Sequence, residues 1–291
     1  MKKLIIITLT ALGMLACSDK NAPSNPNAKC GALQGKFSVS ASNQVQFSQG
    51  NLQYQANTDT WRFAEHQYDM IGEDNTYISS SYVGWIDLFG WGTGNNPTIV
   101  STDKNDYTYF VDWGVNKISN GGNKDYVWRT LTNDEWLYIF HERTNAKELF
   151  GFGTVNGVEG IIVLPDNWSI PDGMYFRPTP LTWDVNSYIP SVTAYWDGTK
   201  WQAKTVGDNF DNNIFSQNEW SIMESAGAVF LPAAHYRFGV EYDRYGGGTT
   251  GSYWSSKPKG ENAYALHFES GHLYPQLGSY RFQGVSVRLV R

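Results

Sequence analysis

Cysteine is nearly missing from this sequence. Its 291 residues hold two, Cys17 and Cys30, both ahead of the first strand-like stretch. A fold stapled by several disulfides is therefore excluded, and stability has to come from a hydrophobic core. Charge is sparse as well, at 17% of residues with a formal net charge of −6 and no run of Lys or Arg. Nucleic acid is thus not an expected partner. No G-x-S-x-G elbow occurs, and the Gly246-Gly247-Gly248 cluster lacks the Lys of a phosphate loop, so neither a serine hydrolase nor a nucleotide site is signalled. The apolar run at residues 4–15 is too short for a permanent membrane-spanning helix.

That run has another meaning. Lys2 and Lys3 precede it and Met14-Leu15-Ala16-Cys17 ends it, the layout of a secretory signal with a lipobox-like close. Residues 1–17 are expected to be a lipoprotein signal peptide, with Cys17 as the lipidated residue. The mature protein would then be anchored by its lipid rather than spanning the bilayer. Residues 18–34 are rich in Pro, Asn and Ser, which suits a flexible tether. Once Cys17 is acylated, Cys30 has no cysteine left to pair with. Residues 35–291 remain for one large domain.

Aromatics are abundant, at 15%, and there are 29 glycines. This balance predicts a β-rich, loop-rich extracellular domain. Residues 36–64 alternate as a meander with turns at Ser42-Asn43 and Asn57-Thr58-Asp59. Periodicity fades over residues 65–123, read as a structured insertion pinned by Trp85, Phe89, Trp91 and Trp113. Two capping boxes follow, Thr132 with Glu135 and Ser216 with Glu219. The first predicts a helix within residues 128–144 burying Trp136, Ile139, Phe140 and Arg143; the second buries Trp220 and Met223 and stops at Gly227. Residues 157–168 predict a buried strand with a turn, and Asp197-Gly198 a hairpin.

Residues 227–291 carry the most chemistry. Strands are expected at residues 228–231, at Tyr264, Leu266 and Phe268, and at Val285, Val287 and Leu289. Among them stand His, Arg, Glu and aromatic residues, a composition suited to binding. An aromatic-rich antiparallel sheet with one solvated face would have the same composition. His267, Glu269 and His272 form a weak H-x-E-x-x-H pattern, more simply read as exposed strand positions than as a zinc site. His66 and His141 are lone residues expected on the surface. Asp166 and Asn167, or Asp208, Asp211 and Asn212, carry oxygens suited to calcium but form no EF-hand loop, and solvated turns are the expected reading. No cofactor and no metal are expected. Sugar rings stack on aromatic faces, so Trp85, Trp91, Trp196, Trp201, Tyr242, Tyr253 and Trp254 are candidate platforms, though most tryptophans should be core and Trp254 above all.

The segments WRTLTNDEW, GAVFLPAAHYRFG, GSYWSS and GVSVRLVR resemble the framework of bacterial C-type-lectin-like domains. That group includes the formylglycine-generating-enzyme-like superfamily, the Fibrobacter-type major paralogous domain and the variable proteins of diversity-generating retroelements. GKFSVS, QVQFSQGNLQYQ and GWIDLFGWGTG further resemble a recurrent lipoprotein family of gut Bacteroides and Prevotella relatives, and Ser18-Asp19 is similar to a surface-export signal of such bacteria. The resemblance implies an α+β, C-type-lectin-like fold with a mixed, mostly antiparallel sheet, two helices and long structured loops. It also implies a ligand face at residues 227–291. Carried over by position, the binding residues are His235, Arg237, Phe238, Glu241, Asp243, His267, Glu269, His272, Tyr274, Tyr280 and Phe282. Thr130 and His235 depart from the family's pattern, His235 standing where Gly is common. Formylglycine-generating activity needs late cysteines and there are none after Cys30. The calcium triplets of animal lectins, E-P-N, Q-P-D and W-N-D, are also missing. Retroelement-type diversification does not yield Glu or Gln, yet Glu241, Glu269 and Gln276 occupy this face.

The resulting expectation is a non-catalytic outer-membrane lipoprotein, exposed at the cell surface and binding a glycan or a host or bacterial surface protein. The alternative is a structural or adhesin-type component of a surface assembly. A hydrolase would need a carboxylate pair that nothing in the sequence marks.

Overall fold

Both capping boxes start helices. α1 (Asn133–Leu137) is capped by Thr132, which accepts from the Glu135 amide while Glu135 accepts from the Thr132 amide, and α2 (Gln217–Ser225) is capped in the same way by Ser216 and Glu219. Each box satisfies two amides that a helix start leaves open. α1 runs on into a π-helical turn, Tyr138–Glu142, and the stretch buries Trp136, Ile139, Phe140 and Arg143 as expected. Residues 128–131 are not helical: Arg129–Thr130 is a strand, because Thr132 in extended conformation fixes the helix start behind it. Gly227, at φ +103°, turns the chain after α2 as anticipated.

The computed structural model describes residues 25–179, 192–196, 201–205, 210–242, 250–269 and 272–291, with the backbone alone for 192–196 and 201–205. These form a mixed α+β molecule, mostly antiparallel sheet with few helices. β1 (Leu52–Gln55) pairs with β2 (Thr60–Phe63) and β3 (Trp85–Ile86), the first two joined at the predicted turn, where Asp59 is left-handed at φ +48°. β4 (Phe150–Val155), β5 (Val158–Val163), β6 (Ile214–Phe215) and β7 (Val229–Pro232) form a sheet in the order β6-β4-β5-β7, with β6 parallel to β4. β8 (Arg237–Phe238) and β9 (Glu241–Tyr242) pair antiparallel. β10 (Gly251–Lys259), β11 (Asn262–Glu269) and β12 (His272–Tyr280) form an antiparallel meander, after which β13 (Gln283–Gly284) returns to β8 and β14 (Leu289–Val290) pairs with Arg129–Thr130. Val192–Trp196 pairs with Trp201–Thr205, the expected hairpin, its turn lying outside the described residues.

Three details differ from the sequence reading. The second half of the expected tether is folded: Ala28–Lys29 pairs with Ala32–Leu33, and Ala32 and Leu33 are buried in the core. Cys30 is disulfide-bonded, and the chain's other cysteine, Cys17, lies outside the described residues. In β11 the register shifts between Ala265 and His267, so Ala265 and Leu266 are both buried while Tyr264 faces outward beneath Lys259. A bulge of this kind breaks strict alternation.

The core is aromatic. One cluster gathers Phe37, Phe47, Trp136, Phe152, Tyr253 and Phe268; a second holds Trp61, Phe89, Trp91, Trp113, Trp128 and Trp254; a third surrounds Trp220 and Phe230. Phe89, Trp91 and Trp113 therefore pin the 65–123 insertion as predicted, while Trp85 is half-buried with the Arg62 guanidinium 3.8 Å from its ring centroid. Trp91 donates to the Ser255 carbonyl at 2.9 Å and Trp254 to the Phe89 carbonyl at 2.6 Å, tying the insertion to β10. Asp166 is no calcium-type turn residue. It accepts from the Ser38 amide and hydroxyl, Gln44 and Arg143. Burial alone would raise its pKa, but those donors outweigh it and hold the carboxyl below its ordinary value.

Candidate functional site

The expected binding residues fall into a buried member and three surface groups. Arg237 is the buried one, 0% exposed, and this corrects its assignment as a ligand contact. Its guanidinium donates to the carbonyls of Leu88 at 3.0 Å, Gly239 at 2.7 Å and Ile99 at 3.2 Å. Gly284 gives its stem room, because a β-carbon there would collide with the Arg237 side chain. Burial pushes Arg237 down to about 10, still charged at neutral pH. It fastens the insertion to β8 and β13.

The first surface group lies at one end of the β11–β12 ladder. His267 opposes Tyr274 and Glu269 opposes His272 in register. The His272 ring stacks on Tyr274 at 6.2 Å and 10°, and His272 Nδ1 is 3.9 Å from Glu269. His267 Nδ1 is engaged with the Ser252 hydroxyl at 2.8 Å, and burial pushes its pKa below the ordinary value. Among the described residues no group of three or more His, Cys, Asp or Glu is placed to hold a metal.

The second group holds His235, Tyr242 and Glu241. His235 sits at φ +57°, in the left-handed region, which is a physical reason for Gly to be common at such a position. Its ring meets Tyr242 edge-on at 5.6 Å, and Glu241 is exposed. Asp243 lies outside the described residues.

The third group is at the opposite end of the ladder, where Asn262 opposes Tyr280. Six residues of strand separate Tyr274 from Tyr280, roughly 20 Å at about 3.3 Å per residue. The structure thus divides the expected face instead of gathering it. Tyr280, 55% exposed, stacks on Phe282 at 5.2 Å and 8°; Phe282 packs on Phe238 at 6.0 Å, and Phe238 on Tyr236 at 5.5 Å. The β8–β13 pairing builds this ladder, since Phe238 opposes Gln283 and so lies beside Phe282.

Beside the ladder is a cleft of about 290 Å³ lined by Thr102, Lys104, Glu261, Tyr280 and Phe282. Lys104 Nζ is 2.6 Å from Glu261 Oε1, and that bond holds the Glu261 carboxyl below its ordinary value. Lys104, Glu261, Tyr236 and Arg281 were not anticipated. Thr102 and Lys104 come from the aperiodic insertion, where no pattern marks them. The neighbouring Arg281 could have been found, since it interrupts the Tyr280/Phe282 alternation with a cation.

Several expected sugar platforms are interior. Tyr253, Trp254 and Trp91 are buried, and Trp196 and Trp201 have side chains outside the described residues. The largest exposed aromatic surfaces near the clefts are Tyr280 and Tyr109. No family model matches the chain, and no curated protein or solved structure matches it either.

Proposed function

We propose that this chain is a non-catalytic recognition module of C-type-lectin-like fold, carried at the outer membrane surface by a lipid on Cys17 and binding a glycan or a surface protein. Support for the fold is the agreement of both capping boxes with their expected positions. The observation that carries the function is the outward-facing ladder Tyr236, Phe238, Phe282 and Tyr280 beside a cleft edged by Lys104 and Glu261. Partly exposed aromatics held in fixed rotamers lose little entropy on binding and offer both stacking area and polar edges. The site is narrowed accordingly to Tyr280, Phe282 and Phe238, with Arg237 as support.

The test is capture. The chain without its signal peptide is probed against glycan and mucin arrays and against detergent-solubilised envelope proteins, beside a Tyr280→Ala, Phe282→Ala double variant of unchanged circular dichroism. Loss of a ligand in the variant supports the reading. Undiminished capture removes this face as the site, and a stoichiometric envelope partner held elsewhere favours a structural role.

A further inference from the structure

We infer that the aromatic ladder is one end of a longer groove whose ligand is an uncharged oligosaccharide, an inference that rests on the recognition reading above. The 3₁₀ turn Lys104–Tyr107 is a ridge with a cleft on each side. The cleft described above lies on the Lys104 side. On the Asp106 side lies another of about 240 Å³, lined by Thr93, Asn95, Asn96, Asp106 and Tyr109. Together they reach the lower part of the roughly 300–1,000 Å³ range of small-molecule sites.

Arg281 joins the two. Its guanidinium lies 4.6 Å from the Trp91 ring centroid and donates to the carbonyls of Asn262 at 3.1 Å, Gly260 at 2.8 Å, Tyr107 at 3.3 Å and Thr108 at 3.4 Å. It therefore belongs both to the Tyr280 cleft and, through Tyr107 and Thr108, to the wall of the Tyr109 cleft. With this many of its donors committed, Arg281 has little left to offer a carboxylate or sulfate. Lys104, the other nearby cation, is neutralised by Glu261. Asp103 and Asp106 add negative charge on the ridge, and both are exposed. Among the described residues lining the groove, an acidic ligand would meet two carboxylates and no cation without a partner, an arrangement that disfavours it.

What the groove offers is suited to neutral hydroxyls. Asn95 and Asn96 are exposed amides that both donate and accept. Tyr109, 84% exposed, and Tyr280, 55% exposed, stand one on each side of the ridge as faces for the C–H side of a pyranose ring. Two platforms divided by a ridge call for a chain of sugars rather than a single residue.

The full chain in mild detergent is titrated calorimetrically with neutral hexasaccharides (cellohexaose, mannohexaose, xylohexaose, laminarihexaose) and with acidic ones (hexagalacturonate, a hyaluronan hexamer). The expected result is saturable binding of at least one neutral chain and no binding of acidic ones. Affinity should fall about tenfold in Tyr109→Ala and again in Tyr280→Ala, while Ile222→Ala, exposed on α2 and lining neither cleft, leaves it unchanged. Binding of acidic chains alone, or of no neutral chain, overturns the inference. A neutral ligand sensitive to Tyr280→Ala but indifferent to Tyr109→Ala overturns the extended groove. If no sugar binds but an envelope protein is captured through Tyr280 and Phe282, this inference fails and the recognition reading survives; if capture ignores those residues, both fail.

Discussion

Asp87 makes the stability of this protein depend on pH in an unusual direction. Its side chain is buried, and its donors are the Ile71 amide at 2.9 Å and Asn75 Nδ2 at 2.7 Å, neither of them charged. Burial therefore dominates and raises the carboxyl from 3.8 to about 6. The folded state holds the proton more tightly than the unfolded chain, so the stability from this group is fully present below 3.8 and is lost as pH rises through about 6. The whole effect is about 3 kcal/mol at ~1.36 kcal/mol per pH unit, and about 1.4 kcal/mol of it falls between pH 5 and 7.5. Asp69, also raised mainly by burial, acts in the same direction, whereas Asp166, held down by its donors, acts oppositely in acid. Asp87→Asn isolates the contribution: the amide cannot ionise, and its lost acceptor lowers stability at every pH alike. Urea unfolding followed by tryptophan fluorescence at pH 5, 6 and 7.5 should show wild type losing about 1.4 kcal/mol more than the variant across that range. Parallel profiles would refute the reasoning. Burial first, and the Asp87 charge second, also raise the neighbouring Tyr242 phenol to about 12.

Gln67→Leu should cost about 3–5 kcal/mol in chemical denaturation, since Gln67 joins buried Arg288 at 2.7 Å to buried Glu224 at 2.8 Å and its loss strips a partner from both. Arg237→Ala should lower stability by at least ~3 kcal/mol and reduce ligand capture only in proportion to the unfolded fraction, measured by thermal melts beside binding. His235→Gly should raise stability by up to ~1 kcal/mol, because relief of a left-handed non-glycine residue outweighs the added freedom of the unfolded chain; a lower melting temperature would count against strain at this position. A cysteine sulfur cannot carry both a thioether-linked lipid and a disulfide. Intact mass of membrane-derived protein, with and without reductant, therefore separates the two: a lipid on Cys17 supports the proposed anchor, and a chain that lacks lipid and alkylates only after reduction replaces the anchor with the disulfide.

Local signals are legible in the sequence where they are complete in a few residues. Both capping boxes, the Asn57–Asp59 turn and the Gly227 stop need only short-range hydrogen bonds and φ preferences, and each is found in place. Strand faces were harder. The β11 bulge depends on which partner residues stand opposite Ala265 and His267, and no count along one strand reveals that. The site suffered most from long-range contacts. Arg237 and Tyr280 look alike in composition, as polar or aromatic residues in one segment. One is closed over by Leu88, Ile99 and Gly239, the other left in solvent. Lys104 is far from Glu261 in sequence and its role emerges only through that ion pair.

The same contacts explain how the C-terminal segment can carry a surface without depending on it. Arg237 is held by carbonyls of the insertion, Trp254 by Phe89, and Arg288 by Asn51 and Gln67. Each anchor is buried and reaches a part of the chain more than a hundred residues away. The backbone between them is thereby set by groups closed off from solvent. Tyr280, by contrast, has Phe282 as its ring partner among the described residues. Substitutions there change what is displayed at little cost to what displays it, since exposed positions away from packed groups move stability by about 0.5 kcal/mol or less. A surface built this way can change what it displays while the fold beneath stays fixed, and for the proposed recognition role the Tyr280→Ala and Arg237→Ala pair separates display from support: the first alters binding alone, the second lowers stability and binding with it.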